Sequence, residues 1–183
     1  TVSTLGNAQD FGDLTVKRRP GGAVSSSTRA IWWGGRQVGL TPSNVIDFVT
    51  ISSTGNAQDF GDNATRLQFG VAVGNATRGI YGGGYEHSPA SAVTNNLYYI
   101  TIASTGNSVF FGDLAQSGPA VAHHHLGTGC ASPVRGVFAG GLLGSPNQPI
   151  NTIDFVTIST LGNSTNFGDL SQPRFGFAGC SNA

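Results

Sequence analysis

The chain has 183 residues, zero formal net charge, 10% charged side chains and 28 glycines. That balance argues against nucleic acid as a partner, since phosphate contacts need a basic surface, and against disorder, which goes with high net charge and few aromatics. The length suffices for one substantial core, and no run of 18 apolar residues is present to insert into a membrane as a helix.

Taken from the N-terminus, Thr1-Val2-Ser3 matches Thr157-Ile158-Ser159, so the chain is expected to begin within a strand. It has no initiator Met and no signal peptide, which reads as a mature product or a fragment. Next comes Gly-Asn, three residues, then Phe-Gly-Asp. This motif occurs at 6–13, 55–62, 106–113 and 162–169, with spacings of 49, 51 and 56 residues. A fixed period near 50 marks a repeat architecture. Between copies the order is constant. A short segment runs to Gly129-Cys130 or its equivalent (strand a). An apolar segment beginning with Arg29, Arg78 or Arg135 ends in Gly-Gly (strand b). A variable loop leads to the apolar runs 45–51, 97–102 and 153–158 (strand c), and the motif itself lies on strand d. Segments of this length, rich in β-branched and aromatic residues and bounded by Gly, Pro, Asn or Ser, read as strands. Strand c does not alternate cleanly with polar residues, which predicts burial on both faces. No stretch has helical periodicity with caps, so almost no helix is expected.

Four strands per unit of about 50 residues, with Gly-Gly after the second, is the pattern of a propeller blade. The segment 135–169 resembles a kelch repeat, with Phe11, Phe60, Phe111 and Phe167 where kelch repeats carry Trp. More narrowly, Thr-Gly-Asn-Ala-x-Asp-Phe-Gly-Asp together with Gly-Cys-Ser and Arg-Gly-Val-Phe-Ala-Gly-Gly resembles repeats of marine phage (cyanophage) virion and tail proteins. The resemblance covers the whole chain. It implies an all-β propeller of four-stranded antiparallel kelch-like blades over residues 1–183, strand a innermost and the four motif Phe residues buried between blades. The chain holds about 3.7 blades: strands c and d, three complete sets, and a last strand a. An incomplete ring needs its edges covered, which predicts self-association or the remainder of a longer parent protein.

The acidic residues fall almost entirely on repeat positions. Asp13, Asp62, Asp113 and Asp169 belong to the motif, Asp47 and Asp154 share one place at the start of strand c, and Asp10 and Asp59 share another; Glu86 alone is unique. Repeated aspartates read as turn braces, whereas a catalytic acid and base need singular environments. No nucleophile elbow, phosphate loop, zinc motif or calcium loop is present. No catalytic residue, metal site or cofactor is therefore expected. Cys130 and Cys180 occupy one repeat position and read as small packed residues rather than a disulfide. Asn63, Asn75 and Asn163 open Asn-x-Ser/Thr triplets but read as repeat turns rather than glycan acceptors.

The informative asymmetry lies in the loops. The c-to-d turn keeps its length in every copy, whereas b-to-c loops and d-to-a connections vary, and in a blade of alternating strands these emerge on one face. Loops on a rigid scaffold carry binding. The candidate ligand-binding residues are Arg36, Gln37, Tyr85, Glu86, His87, His123, His124, Arg18 and Arg66. The expected role is a non-enzymatic binding or structural module, virion-borne or extracellular, touching a virion protein or a cell-surface glycan, on which Trp32, Trp33, Tyr81 and Tyr85 could stack. A secreted lectin-like propeller is the alternative, and a propeller enzyme with a channel site fares worst on this inventory.

Overall fold

The computed structural model describes residues 5–19, 21–39, 41–87, 92–115, 124–143 and 148–181. Among them are 17 β-strands and no helix. Three four-stranded antiparallel sheets repeat one meander. The first joins β2 (Gly22–Ser25), β3 (Arg29–Trp33), β5 (Val45–Thr50) and β6 (Gln58–Asp62). The second joins β8 (Val71–Gly74), β9 (Arg78–Gly82), β12 (Asn96–Thr101) and β13 (Val109–Asp113). The third joins β14 (Thr128–Ala131), β15 (Arg135–Ala139), β16 (Thr152–Thr157) and β17 (Thr165–Asp169). These are the a, b, c and d segments in order, and the arrangement fits propeller blades. Two small sheets connect them: β1 (Arg18–Arg19) with β4 (Arg36–Gln37), and β7 (Leu67–Gln68) with β10 (Tyr85–Glu86) and β11 (Ala92–Val93).

The Phe-Gly-Asp motif is a β-bulge. Ile46 pairs with Gly61 but Asp47 pairs with Asp59, so Phe60 is the extra residue; the same shift isolates Phe111 and Phe167. A bulge re-aims a side chain, and here it points an aromatic ring against the neighbouring strand c. Phe60 meets Phe48 edge-on at 5.9 Å, Phe111 meets Tyr99 at 6.2 Å and Phe167 meets Phe155 at 6.0 Å. The residue after the bulge takes φ near +144° at Gly61, a conformation costly for any other residue. In the first two copies the Asp10 and Asp59 carboxylates accept from the amides of Gly12 and Gly61 and brace the bulge.

The other half of the motif joins sheet to sheet. The amides of Asp13, Asp62 and Asp113 donate to the side-chain oxygens of Asn56, Asn107 and Asn163 in the following copy, at 3.0, 2.9 and 3.0 Å. Backbone bonds from Gly55 to Phe11, Gly106 to Phe60 and Gly162 to Phe111 flank them. The two glycines approach so closely that a Cβ on Gly61 would lie 2.5 Å from the Gly106 carbonyl oxygen. The motif Asp thus contributes its amide to the seam. Asn163 is committed to that seam, and Asn63 is buried, accepting from Trp33 Nε1 and Ser108 Oγ. Asn75 forms the expected turn, accepting from the amides of Thr77 and Arg78, and Asn63 adds a local bond from its Nδ2 to the Thr65 carbonyl.

Each sheet has two apolar faces. Ile31, Trp33, Ile46, Phe48 and Phe60 of the first sheet pack against Tyr81, Tyr98, Ile100 and Ile102 of the second. The second sheet's opposite face, with Val73, Ile80, Leu97 and Phe111, packs against Phe138, Val156 and Ile158 of the third. Strand c is accordingly buried through both faces in β5 and, less completely, β12, whereas β16 alternates. Burial of all four motif Phe residues therefore needs correction. Phe60 and Phe111 are 3% and 2% exposed, but Phe11 and Phe167 are 37% and 59% exposed, because no complete sheet covers them.

Residues of all four strand-a segments (23–27, 72–76, 129–131 and 179–181) line one central cavity of about 630 Å³. The strand-a edges of the units therefore face one another across a shared cavity.

Candidate functional site

The structure brings the varied connections together. β1 from a d-to-a connection pairs with β4 from a b-to-c loop, in the register Arg18 with Gln37 and Arg19 with Arg36. β7 pairs with β10 and β10 with β11 in the same sense, and His125 bridges to Leu142 in the third unit. The β1–β4 and β7–β10 pairings and the His125–Leu142 bridge each join the stem of a d-to-a connection to that of a b-to-c loop, and β10–β11 closes one b-to-c loop on itself. The Gly-Asn seams use other residues altogether.

Within the first unit a cavity of about 480 Å³ is lined by Lys17, Arg18, Arg19, Arg36, Gln37, Val38 and Gly39. Four of the chain's nine Lys and Arg residues lie here, and no carboxylate is among the lining residues. Arg18 and Arg19 alternate across the strand, so they serve different faces. Arg18 turns inward. Its Nη1 donates to Asp47 Oδ2 at 2.6 Å, its Nε to the Gly34 carbonyl at 2.9 Å and its Nη2 to the Trp32 carbonyl at 3.3 Å. The Thr15 hydroxyl donates to the other Asp47 oxygen. The Arg18 and Asp47 side chains are both fully buried. Arg18 is thus a structural ion pair, which corrects its assignment as a ligand-binding residue. Arg19 and Lys17 are exposed at the cavity, with Arg36 and Gln37 half-buried beside them.

His124 occupies the place in the third sheet that Arg18 occupies in the first. Each lies six residues before its strand-a counterpart, Cys130 or Val24. The His124 ring is fully buried, with Nδ1 2.7 Å from the Gly140 carbonyl and Nε2 3.0 Å from Asp154 Oδ2. Two acceptors face two ring nitrogens, and a neutral ring donates to only one. His124 too is a fixed structural group, not a rim residue. The second sheet fills the same places with Leu67 and Tyr98, 0% and 5% exposed. Asp47 and Asp154 are therefore halves of buried pairs rather than turn braces.

The remaining candidates separate. Tyr85 and His87 stack edge-on at 5.9 Å, with Tyr85 half-buried and His87 exposed. Arg66 is exposed beside them, its carbonyl accepting from the His87 amide. Glu86 is buried, and burial raises its carboxyl above the ordinary range, which takes it off the binding surface. His123 lies outside the described residues. Trp33 and Tyr81 are fully buried against each other at 5.5 Å and offer no face to a sugar. The sequence reading left out Lys17 and Arg19, although the run Lys17-Arg18-Arg19 is the densest basic cluster in the chain. Recognising that alternate residues of this run face opposite ways would have separated the inward Arg18 from the outward Arg19.

Among the described residues no group of three or more His, Cys, Asp or Glu side chains converges as a metal site. Both cysteines are free. No family model matches this chain, and no curated protein matches it.

Proposed function

We propose that this chain is a non-enzymatic binding module, a kelch-like propeller of a phage virion or tail, that grips an anionic group of a host-surface glycan. The grip lies on the face built from the d-to-a and b-to-c connections. The observation that carries the reading is the cavity of about 480 Å³ where Lys17, Arg19 and Arg36 converge, Arg19 and Arg36 directly opposed across two strands, with no carboxylate among the lining residues. Guanidinium groups hold carboxylates, sulfates or phosphates in a fork, and Gln37 supplies a neutral donor and acceptor for hydroxyls. The setting in a virion rests on the repeat resemblance that spans the chain. The competing reading, an enzyme with a site in the central channel, finds less support. That cavity is lined by alanines, glycines, serines, two valines, two cysteines and Asn75, with no carboxylate, histidine or lysine among its lining residues.

The test is an array carrying neutral and acidic glycans, probed with the native chain and with a Lys17→Ala/Arg19→Ala variant. Binding is expected to favour acidic glycans, to weaken at high salt as exposed charges are screened, and to be lost in the variant. Equal binding by the variant, with loss on altering the Gly-Asn turns of a folded protein, would move the functional face to the opposite side. Turnover by a panel of hydrolase substrates would overturn the non-enzymatic reading.

A further inference from the structure

Where a d-to-a connection meets a b-to-c loop, three units present one cross-strand pair at an equivalent place. The pairs are Arg19 with Arg36, Gln68 with Tyr85, and His125 with Leu142. In each pair the first residue lies five before its strand-a counterpart (Val24, Val73 or Cys130) and the second directly follows Gly-Gly. The first pair is the anion grip proposed above. In the third, Leu142 is 6% exposed and the His125 ring packs against Phe69 at 5.3 Å, so the chain's own side chains fill the place.

The second pair is built differently. Strand alternation sends Leu67 and Glu86 to one face of β7 and β10, and Gln68 and Tyr85 to the other, with Arg66 and His87 at the strand ends on that same side. The His87 amide donates to the Arg66 carbonyl at 3.1 Å, which sets these two opposite each other. The Tyr85 and His87 rings meet edge-on at 5.9 Å. Tyr85 is half-buried, and Arg66 and His87 are exposed at the margin. Directly across from Tyr85, Gln68 is only 7% exposed, yet its Oε1 has no hydrogen-bond partner among the described residues. A buried acceptor left without a donor is costly, and this one shares a face with an aromatic ring that is itself only half covered. The carboxylate of the small sheet, Glu86, belongs to the opposite face.

We infer that this place is a second ligand subsite, which takes an uncharged pyranose ring. The C–H face of the sugar lies on the Tyr85 ring, and one sugar hydroxyl donates to Gln68 Oε1. The inference deepens the reading of this face as a glycan-binding surface and rests on it. The chemistry of the pair selects the ligand class. The buried oxygen needs a donor, and the tyrosine ring beside it needs apolar contact. A pyranose supplies both from one rigid body. An apolar ligand would leave the Gln68 oxygen unpaired, and an anion would bring acceptors to an acceptor. Arg66 supplies further donors at the margin for the remaining hydroxyls.

The probes are the methyl glycosides of glucose, galactose and mannose, all uncharged, and sodium sulfate. Each is titrated into the full chain and followed by amide-resolved NMR. At least one glycoside is expected to shift saturably the side-chain amide of Gln68 and the backbone amides of Arg66, Tyr85 and His87, and to do so equally in the Lys17→Ala/Arg19→Ala variant. Gln68→Leu, which nearly keeps the volume and removes the acceptor, is expected to weaken binding about tenfold, the worth of one hydrogen bond. Because Gln68 is buried, Tyr85→Ala at a half-buried position serves as an independent variant, expected to abolish the shifts in a folded protein. Sulfate is expected to shift Arg19 and Arg36 and to leave Gln68 unmoved. Glycoside binding without sulfate binding would overturn the anion grip and leave the second subsite standing; sulfate binding without glycoside binding would overturn the subsite alone. The inference is also overturned by glycoside shifts that spare Gln68 and Tyr85, or by a folded Gln68→Leu that binds every glycoside as the native protein does.

Discussion

Phe111→Ala and Phe167→Ala change the same motif position in neighbouring sheets and should have very different consequences. Phe111 is 2% exposed, packs edge-on against Tyr99 and belongs to the cluster holding the second and third sheets together. Removing a buried Phe side chain costs about 3–5 kcal/mol, the lost transfer energy plus that of the cavity left behind. Phe167 makes the same edge-on contact with Phe155 but is 59% exposed. Its removal forfeits little beyond that ring pair, roughly 0.5–1.5 kcal/mol. At roughly 2–4 °C per kcal/mol for a chain of this size, the first variant should melt some 6–20 °C below the native protein and the second within a few degrees of it. Urea titrations of the two purified variants, monitored by circular dichroism, give the comparison directly. Equal losses would refute the assignment of these faces, because they would mean that Phe167 is covered as Phe111 is.

Other consequences follow from the buried pairs, the seam and Glu86. Arg18→Leu alone should cost about 3–5 kcal/mol by stranding Asp47, whereas Arg18→Leu/Asp47→Tyr, which copies the Leu67 and Tyr98 of the second sheet, should recover most of that stability in a double-mutant cycle. Gly61→Ala should destabilise far more than Gly168→Ala in thermal melts; both glycines have φ near +145°, but only at Gly61 does the added Cβ strike a backbone, 2.5 Å from the Gly106 oxygen. Burial raises the Glu86 carboxyl above its ordinary value of 4.5, so the folded state holds the proton more tightly than the unfolded one. The stability this lends is full below pH 4.5 and is lost as pH rises through the folded value, so Glu86→Gln should exceed the native protein in stability at neutral pH and match it in acid, as read by melts across that range.

The repeat made the strands and their order within each four-stranded sheet legible in the sequence, because a fixed period forces one local structure to recur. The division between constant and varied loops was legible for the same reason. What could not be read was the direction of single side chains within a varied connection. Arg18 and Arg19 are adjacent in sequence, yet one is buried against Asp47 and the other faces solvent, because strand alternation separates them. His124 was likewise named as a binding candidate, yet its ring is buried between the Gly140 carbonyl and Asp154. The motif glycines and Asn56, Asn107 and Asn163 were visible as a pattern, but their partners lie about 45 residues away in the next copy. Spacing alone could not distinguish a turn from a seam.

The central claim is that each copy of the motif joins its sheet to the next and that the seam after the last copy is open. Residue-resolved amide exchange in the free protein tests it most directly. The amides of Asp62 and Asp113, held by Asn107 and Asn163, should exchange slowly, and the amide of Asp169, which no asparagine caps among the described residues, should exchange fast. Slow exchange at all three would contradict the open seam, and fast exchange at all three would contradict the joining of the sheets through the motif.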